Sequence, residues 1–435
     1  MNKTIIFAPY ILTMEGDKPN ILCDYALWIK GKNIHEILPQ SQAKNVSDAN
    51  VLHLNNHVLM PGLINLHSHG SMSLLRGFAD DLALQDWLNN HIWPAEGKHV
   101  DHEFVYDGML LAMAEMIRSG TTCVNDMYFF NADVAKAGLR MGMRTFVGAS
   151  VLEFPNRYAN NADEYINRAM SERCAFFGDD LVQFVLAPHA PYTVSDETFK
   201  KVIALAENED MLIHCHIHET ENEVSGSVTE HKVRPLKRLD NLGLLSERLI
   251  AAHMVHLNDD EIELVAKRGV SVAHNPSSNM KLASGFAPVQ QMLDKGVNVG
   301  LGTDGAASNN KLDMFAEMRL AALIAKGFSG SPTALKAYDT LKMATINGAR
   351  ALHIDDKVGS LSVGKRADVI AIDLSEIETQ PLFDPVSHLV YAAGREQVSH
   401  VWINGECVLS DRVLTRIDIA QIKEKALAWT KRIKI

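Results

Sequence analysis

Between about residue 58 and residue 304, short apolar runs alternate with longer stretches of helical periodicity, and this alternation is the strongest structural signal in the chain. Eight of the runs read as strands: Val58 to Leu66, Thr121 to Asn125, Arg144 to Val151, Val182 to Ala187, Met211 to His216, Leu249 to His253, Val270 to His274 and Val297 to Asp304. Amphipathic helices fit between them, for example Glu103 to Ser119, stopped by Gly120, and Asp259 to Arg268, stopped by Gly269. Strand and helix in alternation predict parallel βα units, and eight units over roughly 300 residues predict an α/β fold of the (β/α)8 TIM-barrel kind. A doubly wound open sheet is the alternative, but no glycine-rich dinucleotide fingerprint follows the first run.

The two ends of the chain have a different texture. Residues 1–57 carry short β-like runs, including Tyr25 to Lys30 before a Gly31-Lys32-Asn33 turn, and residues 365–435 carry Ala367 to Asp373 and Val398 to Leu409, the latter folded around Asn404-Gly405. The expected organisation is one sheet-rich domain made from 1–57 and 365–435, with the barrel over 58–364. Met1 to Met14 is read as a first strand and not as a leader, because Pro9 interrupts its apolar run.

Composition removes several functions. With 42 basic against 53 acidic residues, a net of -11, the chain offers no electrostatic footprint for nucleic acid or an anionic membrane. No stretch approaches the ~20 apolar residues of a membrane span. Its 47% hydrophobic content is that of an ordinary globular protein. Five scattered cysteines without a C-x-x-C pair fit a cytoplasmic location. Cys215, between His214 and His216, points to the opposite side of its strand from both and reads as a small buried apolar residue.

In a TIM barrel the active site lies at the C-terminal strand ends. Strand one ends in His67-Ser68-His69, strand four in His189, strand five in His216, strand six in His253, strand seven in His274 and strand eight in Asp304. His67 and His69, two apart on a strand, can reach a common ion. With 19 histidines in the chain, accidental H-x-H pairs are common, and His214-Cys215-His216-Ile217-His218 supplies two more. Convergence on one rim changes the odds: four of these strand-end residues, with a water added, would make the open coordination set of a catalytic metal. Glu219, three residues past His216, reads equally as a proton-transfer carboxylate or a solvated loop glutamate. Asp304 reads as a ligand or as the aspartate of an Asp-Gly turn, its strand-end position favouring the site.

Pro61-Gly-Leu-Ile-Asn-Leu-His-Ser-His resembles the metal-binding opening of the amidohydrolase superfamily. Ala251-Ala-His-Met-Val-His-Leu, Ala273-His-Asn-Pro-Ser-Ser-Asn-Met-Lys-Leu-Ala-Ser-Gly and Gly302-Thr-Asp-Gly-Ala-Ala-Ser-Asn-Asn resemble its 5-methylthioadenosine/S-adenosylhomocysteine deaminase branch, and Val358-Gly-Ser-Leu-Ser-Val-Gly-Lys-Arg-Ala-Asp-Val resembles the superfamily's composite β domain. The resemblance implies a metal-dependent hydrolase barrel with a β-sandwich built from both chain ends. It implies His67, His69, His216 and Asp304 as metal ligands and Glu219 and His253 as proton-transfer and water-orienting residues. Asp86-Trp87-Leu and Trp93-Pro-Ala-Glu96 are similar to its substrate loop, which would place Glu96 on the ribose hydroxyls, Trp87 against the nucleoside and His189 beside the base. Without the family, Trp87 reads as a helix anchor, and Arg157 reads as a surface arginine, its segment resembling nothing securely. One departure is Met254, where the family usually has cysteine; the expected effect is on packing.

The implied reaction is hydrolytic deamination of an adenine-type nucleoside. Water activated by Zn2+, one ion per subunit, would give up its proton to Asp304 and attack while Glu219 protonates the purine ring nitrogen and His253 orients the attacking oxygen. Imidazole and carboxylate suit Zn2+, Fe2+ and other divalent ions alike, and the absence of a lysine at the end of strand four favours a single ion. Fold analogy implies a homo-oligomer, of an order that the sequence does not derive. Guanine or cytosine deamination and s-triazine hydrolysis share the rim residues, and Glu96 argues against them through its ribose role. A catalytically silent assembly protein would have lost ligands that are all present here.

Overall fold

The computed structural model describes residues 3–434; Met1, Asn2 and Ile435, at the extremes of the expected terminal domain, lie outside the described residues. Eight parallel strands pair in sequence order: Leu63–Ser68, Thr121–Tyr128, Arg144–Val151, Val182–Pro188, Ile213–Ile217, Leu249–His253, Ser271–His274 and Asn298–Leu301. The sheet's two edges meet where the N–H groups of Thr303 and Asp304 donate to the His67 carbonyl at 3.1 and 2.9 Å. This is the expected (β/α)8 TIM-like barrel.

Local sequence explains the helices around it. Asp259–Arg268 starts at Asn258, whose side chain and that of Glu261 cap each other's backbone, buries Ile262 and Val265 one turn apart, and stops at Gly269 in the left-handed region. His102–Arg118 starts where the Asp101 side chain accepts from the Phe104 N–H. Inside the barrel, Ile64, Cys123, Phe146, Val185, Ile250 and Ala273 from six strands form a closed apolar cluster, sealed by Ala349 and Ala351 of the helix Ile346–Ala351. That plug leaves only the opposite end of the barrel free to be polar.

The chain ends build two further sheets. Lys3–Phe7, Tyr25–Lys30, Asn33–Pro39 and Asn50–His53 form one, and a seven-stranded sheet joins Tyr10–Leu12, Ile21–Cys23 and His57–Pro61 to Val369–Asp373, Val398–Ile403, Glu406–Ser410 and Val413–Leu414. The run expected as a single first barrel strand, Val58 to Leu66, is therefore two strands. His57–Pro61 pairs with Val369–Asp373 and Tyr10–Leu12, and the barrel strand begins at Leu63. Gly62 is the joint: its N–H donates to the Asp368 carbonyl at 3.0 Å, and a Cβ there would stand 2.1 Å from the Thr122 hydroxyl. Both strands are buried, so both read as one apolar run.

Two contacts fix this sheet and the last helix to the barrel. Arg144, which opens the third barrel strand, makes a bidentate pair with Asp368 at 3.0 and 3.1 Å, both side chains buried. In the helix Ile419–Ile433, Trp429 packs edge-on against Phe104, and both Trp429 and Lys425 donate to the buried Asp107 carboxylate. Among the described residues, no helix is long and apolar enough to cross a membrane.

Candidate active site

The open end of the barrel holds a cavity of about 320 Å³, within the range of small-molecule sites. His69, His216, His253, Asp304, Glu219 and His189 line it, together with Trp87, Trp93, Glu96, Tyr128 and Phe129. Strand ends supply His69, His189, His216, His253 and Asp304 to this cavity, Trp87 and Glu96 come from helices between the first two barrel strands, and His67 is buried outside the lining. His274 ends its strand as expected but is buried and does not line the cavity.

His67 and His69 each place Nε2 3.3 Å from Asp304 Oδ1. His216 Nε2 lies 3.2 Å from His69 Nε2. The other ring nitrogen of each histidine is engaged: His69 Nδ1 donates to the Met127 carbonyl and His216 Nδ1 to the His189 carbonyl, both at 2.7 Å. His67 Nδ1 lies 2.7 Å from His214 Nε2, and His214 Nδ1 in turn donates to the Ile250 carbonyl at 3.0 Å. These bonds set one tautomer throughout, with each Nε2 lone pair turned inward. His67 Nε2 is buried with no hydrogen-bond partner, and two lone pairs 3.2 Å apart repel unless a cation lies between them. The ligand atoms of His67, His69 and Asp304 all lie within 4.8 Å of one another. This donor set fits a divalent ion.

Electrostatics agree with that reading. Burial pulls the His67 imidazole down to about 4 and His216 well below its ordinary value, so both are neutral at physiological pH. Burial alone would push Asp304 up, but positive charge on the surrounding His67, His69 and His253 rings would hold it well below the usual carboxylate range, and a bound cation supplies such charge while the ligand rings stay neutral. Asp304 also accepts from Ser278 Oγ at 2.6 Å and from the Gly305 N–H at 2.8 Å. Its backbone is left-handed, φ 61°, as is that of His253, φ 77°; strain of this kind is maintained only where surrounding contacts enforce it. Gly302 permits the close approach of this segment to the first strand, since a Cβ there would lie 2.8 Å from His67 N.

His253 Nε2 faces Asp304 Oδ2 at 3.9 Å and Glu219 Oε2 at 4.0 Å, while its Nδ1 donates to Asn279 Oδ1 at 2.8 Å. Burial opposes protonation of His253, but Glu219, Asp304 and Asn279 outweigh it and raise the pKa. Glu219 is buried, which raises its carboxyl, and Asp304 adds to the rise while His253 opposes it. Its backbone N–H is held by Glu223 Oε2 at 2.8 Å. His189 is drawn down to about 3 by burial and by His69 and His67, and its Nδ1 meets Thr193 Oγ1 at 2.9 Å.

Also on the cavity lining, Glu96 Oε1 accepts from the Tyr128 hydroxyl at 2.6 Å. Trp87 is buried in the core, as a helix anchor is, and it also lines the cavity. Arg157 is exposed as expected but sits on the cavity edge, its Nη1 donating to the Lys98 carbonyl at 3.0 Å. Met254 is wholly buried in the core and does not line the cavity, and Cys215 is buried in the same core. The sequence reading missed His214, Ser278, Asn279, Glu223 and Tyr128. Ser278 and Asn279 lie within a motif block it had singled out, and His214 belongs to an H-x-H pair it had set aside.

Burial pushes Glu96 up to about 7, against the downward pull of the Tyr128 hydrogen bond. A carboxyl with a raised folded pKa contributes stability below its unfolded value, 4.5, and loses that contribution as pH rises through about 7. Glu96→Gln is therefore expected to raise the melting temperature of substrate-free protein at about pH 8 and to leave it nearly unchanged at about pH 4. Thermal melts at the two pH values check this, and equal shifts at both would contradict the raised pKa.

A parallel eight-stranded barrel whose rim gathers three inward-facing imidazoles, a buried aspartate and a nearby glutamate defines a metal-dependent hydrolase of the amidohydrolase type. The chain belongs to the amidohydrolase family, whose profile matches residues 58–408, and within it to the 5-methylthioadenosine/S-adenosylhomocysteine deaminase group. A 5-methylthioadenosine/S-adenosylhomocysteine deaminase of Saccharophagus degradans is 45% identical over 410 residues, covering 94% of this chain and 92% of its own. A 5'-deoxyadenosine deaminase of Methanothermobacter thermautotrophicus is 46% identical over 371 residues, 85% and 86% of the two chains. Among solved structures, an adenosine deaminase from Xanthomonas campestris with bound zinc superposes with a TM-score of 0.98 at 47% identity, over 100% of this chain and 99% of that one. The zinc complex of atrazine chlorohydrolase TrzN from Arthrobacter aurescens TC1 superposes with a TM-score of 0.91 over 98% and 99% of the chains at 22% identity, which is a likeness of fold.

Proposed function

We propose that the protein hydrolytically deaminates 5'-substituted adenosines, such as 5'-methylthioadenosine and S-adenosylhomocysteine, to their inosine analogues and ammonia. The observation that carries this reading is the placement of the Glu219, His253 and Asp304 cluster and of Glu96 on the walls of a single cavity. A base at the first and a ribose at the second would be a nucleoside.

His67, His69, His216 and Asp304 would hold one divalent ion, zinc by similarity to the zinc-bound relative. When bound, it supplies Lewis-acid activation of the attacking water. Asp304 accepts the water's proton through a carboxylate aimed by Ser278 and Gly305. Glu219, whose carboxyl pKa is raised by burial, donates a proton to the purine ring nitrogen beside C6. Without that proton, attack at C6 would build negative charge on an unassisted ring. His253, fixed by Asn279, donates to the attacking oxygen and steadies the tetrahedral carbon. The proton taken up by Asp304 then passes to the amino group, the C6–N bond breaks as ammonia leaves, and the C6 hydroxyl proton returns to Glu219 to leave the 6-oxo purine. His189 sits beside the base, Trp87 packs on the nucleoside and Glu96 accepts from the ribose hydroxyls. In the same reading, the catalytic barrel, expected over 58–364, starts at Leu63, the composite β domain takes in the strand His57–Pro61 with the rest of 1–57 and 365–435, and the enzyme works in the cytoplasm as a homo-oligomer.

The test is ammonia release by metal-analysed protein from methylthioadenosine, S-adenosylhomocysteine, adenosine, 5'-deoxyadenosine, adenine, guanine and cytosine. The expected result is release from the 5'-substituted adenosines, with about one zinc per chain. Turnover of a free base alone would keep the metal site and overturn the substrate. The s-triazine alternative is supported only by a shared fold.

A further inference from the structure

Glu96 is carried by Trp93–His99, a helix in the excursion between the first and second barrel strands, and therefore on no strand end of its own. What ties it to the barrel is Tyr128, the last residue of the second barrel strand, whose hydroxyl donates to Glu96 Oε1 at 2.6 Å. Tyr128 is itself buried, its ring packed against Phe129 at 5.3 Å between centroids. One residue earlier, the Met127 carbonyl accepts from His69 Nδ1. A single strand end thus sets the orientation of both a metal ligand and the Glu96 carboxylate, each lining the same cavity.

We infer that Tyr128 is a positioning residue for sugar specificity: by fixing Oε1, it turns the remaining lone pairs of Glu96 toward the vicinal hydroxyls of a ribose held at a set distance from the metal. This rests on the reading of Glu96 as the ribose acceptor. A vicinal diol offers two donors, and a carboxylate free to rotate on its helix would meet them in many orientations; one oxygen held by a phenol leaves a single geometry. Discrimination between ribose and deoxyribose then belongs to the Tyr128 and Glu96 pair, while attack at C6 does not depend on the phenol.

The test compares 5'-deoxyadenosine with 2',5'-dideoxyadenosine in wild type, Tyr128→Phe, Tyr128→Met, Glu96→Gln and the Tyr128→Phe/Glu96→Gln double variant, with metal content and melting temperature measured for each. In Tyr128→Phe the expected result is a rise of about tenfold in KM for the ribonucleoside, kcat little changed, and a change of less than about twofold for the deoxy analogue. Tyr128→Met, which keeps apolar bulk without the hydroxyl, should behave alike and stands in if the first variant folds poorly. In the Glu96→Gln background the Tyr128 substitution should add nothing further. Equal losses on both substrates, or no loss on either, would overturn the inference. If Glu96→Gln leaves the ribose preference intact, the reading of Glu96 itself fails; if Glu96→Gln removes the preference and the Tyr128 variants do not, only the role of Tyr128 fails.

Discussion

Glu219→Gln is expected to lower kcat by about 10²–10⁴-fold while leaving the bound metal in place. Glutamine matches glutamate in size and keeps an acceptor oxygen, so the buried side chain and its neighbours have no reason to move. What is lost is the transferable proton. Glu219 lies outside the sets of mutually close metal-competent atoms, and its backbone N–H, held by Glu223, does not depend on the side chain. Burial and the nearby Asp304 favour its protonated form, which is the form that the proposed transfer to the ring nitrogen consumes. Steady-state kinetics with metal analysis checks the point. Near-normal kcat at full metal content would remove Glu219 from proton transfer.

His67→Ala is expected to leave well under one metal per chain and no measurable turnover. His67 has no exposure to solvent, its Nε2 has no protein hydrogen-bond donor to meet, and its Nδ1 is committed to His214. Burial holds it neutral by lowering its pKa to about 4, so its lone pair is available to an ion over the whole physiological range. His214→Phe should act in the same direction but more mildly, because it releases the tautomer of His67 without removing the ligand; changes of such outer partners cost about 10–100-fold in metal affinity. Full metal occupancy in His67→Ala, in protein whose thermal melt shows it folded, would contradict the site.

The eight strands and the residues that end most of them were legible because barrel strands are buried on both faces and their chemistry is confined to one end. His67, His69, His189, His216, His253, His274 and Asp304 could be read as strand-end candidates for that reason, while the roles given to them and to Glu219 came from the family resemblance. The joint at Gly62 was not, since a strand of the terminal sheet and a strand of the barrel are both apolar and directly consecutive. Nor was Tyr128, whose partner Glu96 lies 32 positions earlier on a helix, a distance at which neither strand nor helix periodicity carries information. His214 shows the reverse case. Its H-x-H spacing with His216 gave a true signal of shared direction, but only three dimensions show that it faces a ligand's other nitrogen and not the ion's side.

The seven-stranded sheet has a consequence for how the chain is made. His57–Pro61 lies between Tyr10–Leu12, synthesised before it, and Val369–Asp373, which emerges only after the entire barrel. During synthesis one edge of this apolar strand stays open, joined through Gly62 to the strand that carries His67. Pairing over so long a stretch of chain is slow, and an unpaired apolar edge invites association with another chain. A ribosome stalled before Val369 would therefore release a product with most of its barrel sequence in place and its first strand's anchor unpaired, a species marked for aggregation or for chaperones.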